Sequence, residues 1–348
     1  MNAPENSRVE ENASSNSFRL GSPLGNGAMD PSGIAHELAP FQSCTYRFQF
    51  RALDKIFLRK YSGSTWRGLF GNALKQTACV TNNDHCQDCL LFSQCAYPYI
   101  FETPAPEQSD RMRKYPSMPH PYLFKVPNQI RDIEPGGLFT IDMRLFGRAN
   151  HYLPYILQSF VSAGRLGITS KKAHFEIVSL SQMLPDGSAH HLWQQGDLRI
   201  GVAQSDLIDI PEMPEAVVQI NLLTPLRLLK DRYPLSPNDF RFHHLFRAVL
   251  RRIPMLMYFH QSIDLELPYQ ALSELSRQIR IFDVELEWLE WKRYSNRQNT
   301  EMNMGGLGGH FCVDIEHIKP LWPLLWLGQY AHAGKATTMG NGEYHVTW

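Results

Sequence analysis

Gly328-Gln-Tyr-Ala-His-Ala-Gly-Lys-Ala-Thr-Thr-Met-Gly-Asn-Gly342 is the stretch on which the fold turns. An apolar helix over about 315–331 runs into it, and a terminal strand, 343–348, leaves it. A dinucleotide fingerprint has the opposite order, strand, glycine loop, helix. Glycines after a helix let backbone N–H groups approach a guest closely, and His332 and Lys335 stand beside them. Phosphate is the natural guest of such a loop, and a polymer of many phosphates the natural partner. A second cluster, Met304-Gly-Gly-Leu-Gly-Gly-His310, precedes the helix.

Upstream, 217–223 reads as a strand, 240–259 and 268–281 as helices, and 285–294 and 302–315 as two strands. With the helix and strand at the end, this is β-α-β-β-α-β. The first half repeats that order. Tyr46-Arg-Phe-Gln-Phe-Arg-Ala-Leu53 alternates as a strand, and 64–75 carries Trp66, Leu69, Phe70 and Leu74 on one helical face. A weak strand at 122–126, a strand at 139–146, a helix at 152–165 and a strand at 174–180 follow. The expected fold is α+β: two tandem ferredoxin-like (βαββαβ) domains. Their bounds are 44–183 and 214–348, with a polar linker at 184–213 and a cysteine-rich insertion at about 79–121 in the first. Residues 1–43, rich in Asn, Ser, Gly and Pro towards their start, read as a disordered arm.

The 348 residues carry 34 basic and 34 acidic side chains, so the chain is not coated in positive charge. Local basic surfaces remain open. Segment 227–252 holds seven Lys/Arg and two Asp. Its helix buries Phe242, Leu245, Phe246, Val249, Leu250 and Ile253 on one side. The other side presents Arg241, His243, His244, Arg247, Arg251 and Arg252 without interspersed acids, which suits either a nucleic-acid backbone or a plain solvated face. Arg111-Met-Arg-Lys114 is a weaker basic run. In Trp291-Lys-Arg-Tyr-Ser-Asn-Arg297, aromatics interleave with bases, and Arg293 and Arg297 suit phosphate contact. Trp291 fits a stacking platform or the core.

Cys79, Cys86, Cys89 and Cys95 fall within 17 residues, and the CxxC turn among them suits a tetrahedral structural zinc. Unliganded thiols are the alternative. Four ligands would close the site, so no metal chemistry is expected of it. Cys44 and Cys312 stand alone as packing residues. The first 40 residues lack the basic start and apolar middle of a secretory signal, and six cysteines then point to a reducing cytoplasm. No segment is long and apolar enough to span a bilayer.

Five stretches resemble the CRISPR precursor-RNA-processing endoribonucleases of the RAMP superfamily. They are Trp66-Arg-Gly-Leu-Phe-Gly-Asn-Ala-Leu74, the Cys86-x2-Cys89-x5-Cys95-Ala-Tyr run, Leu145-Phe-Gly-Arg148 with Gly164-Arg-Leu-Gly167, Arg293–Gln298 with Met304–Gly309, and Gly334–Tyr344. The resemblance implies two ferredoxin-like folds and CRISPR repeat RNA, within the precursor transcript, as substrate. It implies cleavage without a catalytic cofactor, by 2′-hydroxyl attack on the neighbouring phosphate to leave a 2′,3′-cyclic phosphate. Such chemistry needs a base, an acid and a cation. His332 and Lys335 are the first candidates, His151 and Tyr152 the second pair, and Arg293 and Arg297 candidate charge stabilisers. Glycines 305, 306, 308, 309, 334, 340 and 342 are candidates for backbone contact with RNA. Some members of the family use a histidine soon after the first strand, and residues 46–84 contain none. A non-catalytic RNA-binding subunit of a CRISPR effector complex, partnered by its other subunits, is therefore the alternative.

Overall fold

The computed structural model describes residues 30–83, 85–104, 118–204, 207–295, 300–314 and 318–348; the side chains of 293–295, 300 and 301 lie outside that description. A helix comes first, Pro31–Leu38 (α1), and buries Ile34 and Leu38. The expected arm is thus shorter than 1–43, because these two apolar residues give 31–38 a face to pack; residues 1–29 lie outside the described residues.

The aromatic alternation becomes Ser43–Ala52 (β1), with Tyr46, Phe48 and Phe50 fully buried. Ile56–Leu58 (β2), Gly63–Ala78 (α2), Tyr122–Lys125 (β3), Arg131–Ile133 (β4) and Leu138–Phe146 (β5) follow. Leu153–Leu166 (α3), Phe175–Met183 (β6) and Ala189–Gln194 (β7) complete the first lobe. Its antiparallel sheet has the order β3-β5-β1-β6-β7. Two helices cover one face. Trp66 of α2 stacks on Phe50 at 5.5 Å, and Phe160 of α3 meets Phe48 at 4.5 Å. Burying such rings contributes about 1.5–3 kcal/mol each, so this aromatic cluster anchors the lobe.

The expected linker at 184–213 holds the edge strand β7, in which only Leu192 is buried. That sparse burial is why the segment looks polar in sequence. Its far end is tied down as well: Trp322 and Trp326 donate their indole N–H groups to Pro211 O and Asp209 O.

The second lobe contains Val218–Leu226 (β8), the two-residue strands Leu229–Lys230 (β9) and Tyr233–Pro234 (β10), and the helices Phe242–Gln261 (α4) and Tyr269–Gln278 (α5). Ile281–Leu289 (β11), Lys292–Ser295 (β12), Thr300–Asn303 (β13), Gly306–Val313 (β14), Trp322–Ala331 (α6) and Tyr344–Thr347 (β15) follow. The two strands expected at 285–294 and 302–315 are each broken, and their facing ends form a separate β12–β13 ribbon. The main sheet runs β11-β14-β8-β15, all antiparallel. In both lobes the opening strand is central, flanked by the penultimate and last strands of a shared four-strand order. The chain is α+β with antiparallel sheets.

The glycine loop after α6 joins the lobes. Its short turn, Thr337–Met339, packs on α2 and β3. Lys125 of β3 pairs with Glu343 at 2.7 Å, and Arg144 of β5 donates to Tyr330 O at 2.9 Å. At Gly63 a Cβ would penetrate the Met339 carbonyl. Alanine is the better helix former by about 1 kcal/mol, yet Gly63→Ala should destabilise the fold by about 1–3 kcal/mol through overpacking. Urea unfolding checks the sign: a stabilised variant would mean that the lobes do not close on this glycine.

Candidate nucleic-acid interface

Arg59, Lys60, Tyr61 and Ser62 lead directly into α2, followed by Ser64 and Thr65. All six line a groove of about 740 Å³ between the start of α2, the 169–171 turn and the Trp291–Lys292 segment. Lys55, Lys171 and Lys292 add positive charge, whereas Asp132 is the acid among the lining residues and pairs with Lys55 at 3.3 Å. The first turn of α2 contains no acid, and Ser62 makes no side-chain cap bond. The N–H groups of Thr65 and Trp66 donate to Ser62 O, and the positive end of the helix dipole faces a basic groove, a favourable setting for phosphate.

The floor is aromatic. Tyr61 holds a left-handed φ of 58° and meets Trp291 at 5.7 Å, with the Lys60 ammonium 5.1 Å from the Tyr61 ring centre. Backbone strain of this sort costs of order 1 kcal/mol and gathers at functional positions. Met304, Ala336 and Met339 pack against the same pair, so the glycine loop backs the floor of the groove.

The sequence candidates distribute differently. His332 caps α6 with φ 57° and is fully buried. Its Nδ1 lies 3.2 Å from Asn341 O, and its Nε2 has no hydrogen-bond partner. Burial first, then Lys125, Arg144 and Arg252, push its pKa down to about 3 against the pull of Glu343. The imidazole is neutral and buried away from the groove lining, so the groove is built without the first catalytic candidate. Lys335 is exposed, one residue before Ala336 on the groove floor. His151 is exposed and the Tyr152 ring lies tilted against Tyr99 at 5.2 Å; they sit on the turn Gly147–Tyr152, which packs on α4, and neither lines the groove.

The glycines also serve another purpose. In the terminal loop the N–H groups of Ala333, Lys335 and Gly342 donate to Gly342 O, Arg227 O and Pro225 O. Those donors are spent on the protein, so the loop is a clasp and not an open phosphate nest. Gly334, Gly340 and Gly342 have positive φ and lie against the carbonyls of Arg227, Phe124 and Ala333. Gly305, Gly306 and Gly308 are buried against Leu289 and Leu226, and Gly309, with a positive φ, lies against the Glu285 carbonyl.

On α4, His244 Nδ1 accepts the Arg241 N–H at 3.0 Å, and burial together with His243 pushes its pKa down to about 4. It is a helix cap, and Arg241 bonds the carbonyls of Asn238 and Phe240. Burial and Arg247 lower the pKa of the half-buried His243. Arg252 turns inward, donates Nε–H to Ala331 O at 2.6 Å, and is brought down to about 10 by burial. Arg247 and Arg251 do face outward, beside a separate apolar cavity with Leu250, Pro254, Tyr258 and Tyr269. Arg293 lies in β12, its side chain outside the description; Arg297, Arg111, Arg113 and Lys114 lie outside the described residues.

Sequence reading missed Arg59, Lys60, Tyr61 and Lys171. The first three carry a legible signal, a basic pair just before the hydroxyl-rich start of a helix. Lys171 does not, since only folding brings its turn to α2.

Residues 220–344 match the model of the CRISPR-associated endoribonuclease Cas6 family, and residues 41–205 match a family described as an N-terminal domain. An uncharacterized protein of Archaeoglobus fulgidus is 25% identical over 303 residues, covering 83% of this chain and 92% of its own. Among solved structures, a Cas6 product complex gives a TM-score of 0.52 at 13% identity over 88% of this chain and 99% of that one. A partial Cas6-RT-Cas1–Cas2 complex gives 0.53 at 13% identity; it covers 89% of this chain, which spans 47% of that one. At such identity the likeness is one of fold. Over residues 220–344 the chain thus matches the CRISPR-associated endoribonuclease Cas6 family model.

Proposed function

We propose that the protein binds CRISPR repeat RNA in the groove at the start of α2 and cuts it there, processing a precursor transcript into guide RNAs. The observation that carries this reading is the concentration of Arg59, Lys60 and Lys171 around a helix N-terminus and an aromatic floor, in a chain with a Cas6 family match. The repeated strand order supports two ferredoxin-like lobes, with the Cys79–Cys95 segment as an insertion in the first. In the proposed reaction a ribose 2′-hydroxyl attacks the adjacent phosphate and the 5′-oxygen leaves, giving a 2′,3′-cyclic phosphate without a metal cofactor. Arg59 and Lys171 stabilise the charge gathering on the phosphate, and Lys60 with the Tyr61 hydroxyl are the candidate proton carriers.

A second reading is a subunit that holds repeat RNA for a CRISPR effector complex without cutting it. It is favoured by one observation: no histidine lines the groove among the described residues, and His332 is sealed.

Purified protein incubated in EDTA with the repeat RNA of its own locus separates the two. The nuclease reading expects cleavage, a cyclic phosphate end, and a loss of about 10²–10⁴ in rate with Tyr61→Phe and Lys60→Ala combined. RNA with a single 2′-deoxy sugar at the cut should resist. Tight binding with no product selects the second reading, and absence of binding removes both.

A further inference from the structure

Six cysteines are free in the structure, and four of them converge. Cys79, Cys86, Cys89 and Cys95 all line one cavity of about 20 Å³ beyond the C-terminus of α2, next to Val80, Leu91, Phe92 and Pro98. A space of that size holds about one water-sized sphere. The Thr81 hydroxyl lies between two of the sulfurs, 4.0 Å from Cys79 Sγ and 3.3 Å from Cys89 Sγ. Backbone N–H groups of Thr81, Asn82 and Asn83 are directed at the Cys79 sulfur, around a turn made by the left-handed φ of 51° at Asn82. On the other side, Cys89 N–H donates to Cys86 O at 3.1 Å and closes the CxxC turn.

From this convergence we propose that Cys79, Cys86, Cys89 and Cys95 bind one zinc ion as a closed four-thiolate structural site. Among the described residues no three ligands already stand at bonding distance, so the ion draws the two turns together. Each thiol releases its proton to solvent as its Zn–S bond forms. Four thiolates on Zn²⁺ leave a net charge of −2, and Lys75 faces the same cavity to offset it. With four sulfurs bound there is no open position for water, so the ion contributes folding energy and no catalysis.

What it would hold is the link between α2 and α4. The segment directly after Cys95 carries Phe101, which packs on Gly71 and under the Arg67 guanidinium at 4.4 Å. It also carries Tyr99, whose hydroxyl lies 3.2 Å from His260 Nδ1 on α4. The proposal stands independently of RNA cleavage.

The test uses the full-length chain, purified without a metal-affinity tag and dialysed under reducing conditions. Elemental analysis should find about one zinc per chain, and cobalt replacement should give the intense visible and charge-transfer bands of a tetrahedral thiolate site. Cys89→Ser and Cys95→Ser should lose the ion and the bands. Cys312→Ser, buried in the other lobe, should keep both. Substoichiometric zinc after reconstitution, or cobalt without thiolate bands, overturns the proposal whether or not the serine variants fold. Retention of a full equivalent by both serine variants overturns it equally.

Discussion

Below pH 6.5 the folding stability should fall by about 4 kcal/mol for each pH unit until roughly pH 4. Three histidines produce most of the slope, and the half-buried His244, pushed down to about 4, adds to it. His332 is pushed down to about 3, His120 to about 3 and His260 to about 4, in each case chiefly by burial. They stay neutral for reasons visible in their bonding. His260 Nε2–H donates to Pro119 O at 2.8 Å, which leaves Nδ1 to accept the Tyr99 hydroxyl proton. His120 Nδ1 lies 2.6 Å from Thr103 Oγ1, and Arg67 and Arg252 oppose any charge on its ring. Above pH 6.5 neither the folded nor the unfolded chain protonates these rings, and they contribute nothing. Below it the unfolded chain takes up one proton per ring and the folded chain does not, so acid favours unfolding. Each ring contributes about 1.4 kcal/mol per unit. By pH 5 the sum reaches about 6 kcal/mol, comparable with the whole stability of many domains. Urea unfolding at pH 7.5, 6.0 and 5.5 measures it, and His120→Gln should remove a third of the slope. A stability that does not change over that range would show that these rings are not held neutral.

The second large effect concerns RNA. Replacing Arg59, Lys60 and Lys171 together by alanine should weaken binding of single-stranded repeat RNA about 50-fold at 0.15 M salt and lower the salt slope by about two. These three line the groove at the α2 N-terminus, where three positive charges stand close together. Arg247→Ala with Arg251→Ala, on the outer face of α4, should cost far less, because those side chains border an apolar cavity and lie outside the groove. Filter binding over a salt series ranks the two variants. The reverse ranking would move the interface to α4, where the density of basic residues in the sequence first points.

That contrast illustrates what was legible. Period-2 aromatics at 46–52 and the helical spacing of Trp66, Phe70 and Leu74 are local signals, and the elements formed where they stand. The α+β class was legible in the alternation of strand and helix patterns along the chain. β7 escaped because a one-sided edge strand with a single buried residue looks like linker. The site was harder to find. His332 beside Lys335 reads as chemistry, but whether a loop is open or closed depends on carbonyls contributed by Pro225 and Arg227, more than 100 residues away. The groove likewise unites residues near 60, 170 and 291, a conjunction with no trace in local sequence.

The central position of β8 has a consequence for synthesis. Its neighbours in the sheet are 306–313 and 344–347, and the Thr224 hydroxyl accepts the Glu343 N–H across 119 residues. Until those late segments emerge from the ribosome, both edges of β8 are bare, and bare edges invite pairing with other chains. Contacts so distant along the chain also slow folding. The first lobe can settle early, whereas the second must wait for its final strand. The groove wall formed by Trp291 and Lys292 is held by the loop that delivers that strand. A nascent chain with its first lobe folded therefore carries the Arg59–Thr65 and Lys171 side of the groove, and the Trp291–Lys292 wall joins it only once the last strand is in place.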